Sequence, residues 1–68
     1  MSSFSENLKR MRKENGMSQQ KLAQAVGVTQ QCVSEWEKEN IEPTLSNLCE
    51  LADTFDVSID YLVGRKDY

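Results

Sequence analysis

Two adjacent carboxamides, Gln30 and Gln31, with Thr29 before them and Ser34 and Glu35 about one turn later, could read another molecule by hydrogen bonding. A glutamine side chain offers a donor and an acceptor side by side. That pair matches the N6 and N7 edge of adenine, and one good bidentate contact discriminates between bases by ~1–3 kcal/mol. The Thr29 methyl could meet a thymine methyl, and Ser34 could reach a base or a phosphate. Glu35 can accept from cytosine N4 while repelling phosphates; its alternative is a place at the groove rim, where it would only tune affinity. Adjacent glutamines also occur in helices that read nothing, so the argument turns on the elements that hold them.

Those elements occupy residues 18–37, SQQKLAQAVGVTQQCVSEWE. Leu22, Ala23 and Val26 place a small apolar stripe on one face of a short helix. Ser18 caps that helix, and Gly27 has the backbone freedom to end it tightly. Val28 then turns inward and Thr29 caps a second helix. On that helix Val33 and Trp36 face the core, leaving Gln30, Gln31, Ser34 and Glu35 outside. Two helices joined by a short glycine-containing turn form the helix-turn-helix pattern. The first turn of the leading helix, with Ser18 and Gln19, has free N–H groups and the positive end of the helix dipole, which suits a phosphate.

The chain has 68 residues, enough for one domain, residues 1–68. A chain this short buries only about 60% of its unfolded surface, which leaves no room for a separate effector domain or a deep catalytic cleft. The formal net charge of −3 argues against nucleic acid at face value, but the charge is polarised. Through Gln30, five basic residues (Lys9, Arg10, Arg12, Lys13, Lys21) outweigh two acidic ones (Glu6, Glu14), giving +3. From Gln31 onward three basic residues face nine acidic ones, giving −6. Such a domain can still turn a positive face to phosphates. There is no histidine, no carboxylate pair in an identifiable cleft and no glycine-rich phosphate loop, so an enzyme is not expected. Cys32 and Cys49 have no zinc-site spacing, and neither a metal nor a cofactor is expected. The two thiols read as reduced cytosolic cysteines; a sharper reading gives Cys32, near a helix N-terminus, a lowered pKa and sensitivity to oxidants. No signal peptide, membrane-length apolar run or small-molecule ligand site is evident, and a cytoplasmic protein is expected.

Along the chain, Ser3 and Glu6 fit a capping box for a first helix that runs to about Glu14 with Phe4, Leu8 and Met11 inward. Asn15-Gly16 ends it, and Met17 anchors the link that follows. The outward Lys9, Arg10 and Lys13 fit a solvated face or a DNA contact. After the second helix of the pair, Asn40 is the residue expected to take the left-handed conformation that turns the chain. Thr44 caps a fourth helix with Leu45, Leu48, Ala52 and Phe55 inward and an acidic outer face of Glu50, Asp53 and Asp56. Val57 plugs the core, and Ser58 caps a last short helix, residues 59–63, closed by Gly64. Ile59, Tyr61, Leu62 and Val63 exceed what the core of a terminal turn needs. Residues 65–68 read as a frayed tail.

Met17-Ser18-Gln19 before Leu22-Ala23, then Gly27-Val28-Thr29-Gln30-Gln31, Trp36-Glu37, Pro43, Val57-Ser58 and Tyr61-Leu62 stand in the order and spacing of a known family. The chain resembles, from Leu8 to Gly64, the Cro/C1-type helix-turn-helix domain of phage repressors and small bacterial regulators. The resemblance implies an all-α, compact five-helix bundle of the lambda repressor-like type. It also implies a DNA-binding transcriptional regulator, a repressor by default, that docks the second helix of the pair in the major groove. Base contacts would come from Thr29, Gln30, Gln31, Ser34 and Glu35. Phosphate contacts would come from Ser18, Gln19, Lys38 and Asn40, with Gln19 also bracing Gln30. Arg12 and Glu37 would form a structural ion pair. Ile59, Tyr61 and Val63 would be a dimer surface for a homodimer on a palindromic double-stranded site, half-sites ~10 bp apart. The chain departs from the family at Glu39, where glycine is usual, and at Asn40 and Glu42, where basic residues are common. The competing reading is a protein-interaction module, antitoxin-like, that uses the acidic fourth-helix face or the Ile59/Tyr61/Val63 cluster.

Overall fold

Apolar residues spaced three and four apart draw short helices around a single core. A computed structural model describes residues 2–66, which form α1 (Ser2–Glu14), α2 (Gln19–Val26), α3 (Gln30–Glu37), α4 (Leu45–Phe55) and α5 (Ile59–Leu62). No strand occurs among the described residues. The α2–α3 pair makes the closest packing, α1 lies against α3 and α5, and α4 bridges α2 and α5. The core takes Phe4, Leu8 and Met11 from α1, Leu22, Ala23 and Val26 from α2, Val33 and Trp36 from α3, Leu51 and Ala52 from α4, and Leu62 from α5.

Four of the helices start on a hydroxyl that takes up an otherwise unpaired backbone N–H. Ser18 Oγ accepts from Lys21 N at 3.0 Å, Thr29 Oγ1 from Cys32 N at 3.1 Å, Thr44 Oγ1 from Asn47 N at 3.1 Å and Ser58 Oγ from Tyr61 N at 3.0 Å. The capping box expected at Ser3 is not formed: α1 already runs from Ser2, and Ser3 packs against Gly64 instead. A Cβ on Gly64 would sit 2.5 Å from Ser3 Cβ, and the backbone there has φ +83°. Only glycine fits that approach.

The inner face of α4 is shifted from the expected one. Leu45 is 72% exposed, whereas Leu51 is wholly buried. The working stripe is Leu48, Leu51, Ala52 and Phe55, a regular i, i+3, i+4, i+7 face. Extending it back to Leu45 supposed a neighbouring helix over the first turn, and α4 has none there. Beyond α5, the N–H groups of Arg65 and Lys66 bond the Asp60 carbonyl at 2.7 and 3.3 Å, so these two residues are held rather than frayed. Asp67 and Tyr68 lie outside the described residues.

The turn after α3 also differs from expectation. Glu39, not Asn40, takes the left-handed conformation, with φ +65°. Glu39 N then reaches the Trp36 carbonyl at 3.2 Å and Asn40 N reaches the Glu35 carbonyl at 3.0 Å. This is the geometry in which helices commonly end on glycine, because the 5→2 and 6→1 pattern of bonds needs a left-handed residue. The hydrogen bonds select the position, and the side chain at that position bears a steric cost of roughly 1–2 kcal/mol.

A buried ion pair fixes α3 on α1. Arg12 Nε donates to Glu37 Oε2 at 2.7 Å and Nη2 donates to Oε1 at 3.1 Å, while Nη1 donates to the Met17 carbonyl at 2.8 Å. The two side chains are only 10% and 5% exposed. Ser5, buried near the start of α1, adds a 2.6 Å bond from Oγ to the Trp36 carbonyl.

Two stability changes follow from these contacts. Arg12→Met leaves the Glu37 carboxylate buried without a counter-charge and is expected to cost about 3–5 kcal/mol, read by urea denaturation. Arg12→Met combined with Glu37→Leu should recover most of that loss; a double variant as unstable as the single one would show that packing, not charge, is what Arg12 supplies. Glu39→Gly relieves the left-handed turn and should raise stability by about 0.5–1 kcal/mol, seen as a higher melting temperature.

Candidate nucleic-acid interface

The outer surface of α3 is decided by which of its residues the core takes. Val33 and Trp36 point inward and are 0% and 1% exposed. Gln30 and Gln31 are therefore left in solvent on the first turn, and Ser34 and Glu35 follow half-buried one turn on. The helix start is held from two sides. Gly27, with φ +76° and no neighbour a Cβ would strike, turns the chain out of α2. Thr29 accepts the cap bond on its hydroxyl oxygen, which leaves the O–H and the methyl for a contact.

The candidate phosphate residues lie on two different elements. Ser18 is the exposed cap of α2 and Gln19 stands in its first turn. Lys38 is the exposed C-cap of α3, and Asn40 follows in the turn. The fold brings these two groups together through Glu37, which accepts from Gln19 Nε2 at 3.1 Å on the oxygen that also takes Arg12 Nη2. The Gln19 amide is thus directed to Glu37, not to Gln30. Electrostatically, Glu37 is neutralised by Arg12, which removes one negative charge from the surface beside Lys38. Glu39 and Glu42 remain exposed in the same loop.

Contacts that sequence reasoning missed are mainly those of loop and polar core. Glu35 Oε2 accepts from Asn40 Nδ2 at 2.7 Å, joining a candidate base reader to a candidate phosphate contact. No periodicity signals such a bond. Arg10, expected on an open outer face, donates from Nη2 to Asn7 Oδ1 and to the Tyr61 hydroxyl, both at 3.1 Å, and lies 5.8 Å from the Tyr61 ring centroid. Asn7 Nδ2 in turn donates to the carbonyls of Tyr61 and Leu62 at 3.2 and 3.3 Å, so Asn7 and Arg10 clasp α5 to α1.

Ile59, Tyr61 and Val63 are half-buried and pack against the core. Among the described residues, the large apolar side chains that stand open are Ile41, 46% exposed, and Leu45. Burial pushes the Cys32 thiol pKa up, opposite to the lowering that an oxidant-sensing thiolate needs. Among the described residues no group of acidic, cysteine and histidine side chains is arranged to hold a metal ion, and no helix is long and apolar enough to cross a membrane.

Comparison with known proteins places this geometry. The chain is 38% identical over 60 residues to the uncharacterized HTH-type transcriptional regulator YqaE of Bacillus subtilis (strain 168), covering 88% of this chain and 52% of the relative. The chain thus spans about half the length of the curated relatives it matches. Among solved structures, the P22 c2 repressor in complex with a synthetic operator superposes with a TM-score of 0.85 at 32% identity, over 91% of this chain and 94% of that one. A transcriptional regulator from Listeria innocua gives a TM-score of 0.85 at 36% identity, over 90% of this chain and 57% of the other. The fold is that of the lambda repressor-like DNA-binding domains. The helix-turn-helix family model matches residues 8–62, the span that holds the capped α2–Gly27–α3 unit, and this chain belongs to the Cro/C1-type helix-turn-helix family.

Proposed function

We propose that this chain is a sequence-specific double-stranded DNA-binding domain that regulates transcription, as a repressor, with α3 in the major groove. The observation that carries the reading is the exposure of Gln30 and Gln31 on the first turn of a helix whose other face is locked into the core. A rigid helix with two carboxamides at its entering end supplies what direct readout requires. The likeness to the P22 c2 repressor, solved in complex with a synthetic operator, supports binding to double-stranded DNA.

In this reading Thr29, Gln30, Gln31, Ser34 and Glu35 contact bases, and Ser18, Gln19, Lys38 and Asn40 contact phosphates. The chain acts in the cytoplasm as a homodimer on a two-fold site, with Ile59, Tyr61 and Val63 in the dimer surface. The exposed Ile41 and Leu45 offer further apolar area to a neighbour. Binding rather than catalysis is its activity. Non-specific affinity is modest, because Glu39 and Glu42 oppose phosphates where the loop approaches them.

Selection of binding sites from a random duplex pool, followed by titration of the winner over a range of salt, tests this function. A two-fold site with half-sites ~10 bp apart is expected, with affinity falling steeply as salt rises. Gln30→Ala and Gln31→Ala should each cost about 1–3 kcal/mol at one base position and relax preference there. If no sequence is enriched and duplexes stay unbound at low salt, the proposed function fails.

A further inference from the structure

Asn40 lies outside α3 yet is tied twice to one residue on it. Its backbone N–H donates to the Glu35 carbonyl at 3.0 Å, and its Nδ2 donates to Glu35 Oε2 at 2.7 Å. The left-handed turn at Glu39 is what brings the chain back over Glu35. The amide can face the carboxylate in only one sense, nitrogen first, because an ionised carboxylate only accepts.

We propose that Asn40 is a positioning residue for base selection: it holds the Glu35 carboxylate so that Oε1 is presented to an amino-bearing base edge in the groove. A free glutamate turns about three side-chain bonds and is pushed about by nearby phosphates. A short hydrogen bond to a charged acceptor removes most of that freedom. Oε1 keeps its acceptor capacity, since the Asn40 bond falls on Oε2. An acceptor alone complements cytosine N4 or adenine N6 and rejects the keto groups of guanine and thymine. Asn40 has a second Nδ2 hydrogen, which can still serve a phosphate, so the two roles must be separated by experiment. The assignment rests on the DNA-reading function proposed above.

The test is a double-variant cycle on the selected site and on its single-base variants, using the full chain. Wild type, Asn40→Ala, Glu35→Ala and the double variant are each titrated, and their melting temperatures are measured alongside. Wild type should favour amino over keto bases at one position by roughly 5- to 100-fold. Asn40→Ala should reduce that preference to a few-fold or less while the preferences set by Gln30 and Gln31 persist. In the Glu35→Ala background, Asn40→Ala should change base preference no further.

Two results overturn the assignment while leaving DNA reading intact. In the first, Asn40→Ala weakens all duplexes alike in both backgrounds with base preference unmoved, the mark of a phosphate contact only; the salt slope stays unchanged, because the amide carries no charge. In the second, Asn40→Ala lowers the melting temperature with duplex affinity and base preference unmoved, the mark of a purely structural bond. If wild type itself enriches no site, the DNA-reading function falls and this assignment with it, an outcome distinct from either of the other two.

Discussion

The Arg12 guanidinium is the point on which the arrangement of helices depends. Its forked donors reach Glu37 twice and the Met17 carbonyl once, and Glu37 also accepts from Gln19. One cluster therefore joins α1, the link after it, the first turn of α2 and the last turn of α3. Both charges are nearly out of water. A charge in that position is tolerated only when paired and fully hydrogen-bonded, so the geometry of the pair cannot drift. Apolar packing is non-directional and sets the rotation of α3 on its own less sharply than the planar two-point bond between Arg12 and Glu37.

That fixation matters because α3 is only two turns long and is held at both ends. Thr29 caps its start, Ser5 bonds the Trp36 carbonyl near its end, and the left-handed Glu39 closes it. Between these points Val33 and Trp36 are sealed in the core. Recognition by side-chain amides needs placement to within about half an ångström, and sites on rigid elements keep such placement better than loops do. The helix thus obtains its precision from contacts on its inner face, while its outer face stays free to vary.

The turn after α3 works against that economy. A glutamate stands where a glycine would relieve the backbone, and it adds an exposed negative charge to the loop. In the proposed DNA-bound arrangement, Glu39 and the exposed Glu42 would lower the general attraction to phosphates and raise the share of affinity that must come from base contacts. The same turn returns Asn40 onto Glu35, so conformation and charge in this loop both bear on the reading surface.

Much of this protein could be read from its sequence, because the signals were local. The hydroxyl caps at Ser18, Thr29, Thr44 and Ser58 satisfy N–H groups three residues away, and the apolar spacing of α1, α2 and α3 names their buried faces without reference to a partner. Where expectation failed, the cause lay in distant neighbours. Leu45 fits a helical stripe, but it stands exposed at the start of α4, and Leu51 takes the core position instead. Ser3 has the chemistry of a cap, yet the approach of Gly64 from 61 residues away in sequence occupies it. Asn40 is the better left-handed residue by propensity, but the hydrogen bonds that end α3 place the reversal at Glu39. The sequence by itself determined the elements, the caps of α2 to α5 and which face of α3 is free. The tertiary structure alone decided the Asn40–Glu35 bond, the Gln19–Glu37 bond and the clasp of Asn7 and Arg10 on α5, because polar pairing depends on where two side chains meet in space and carries no period along the chain.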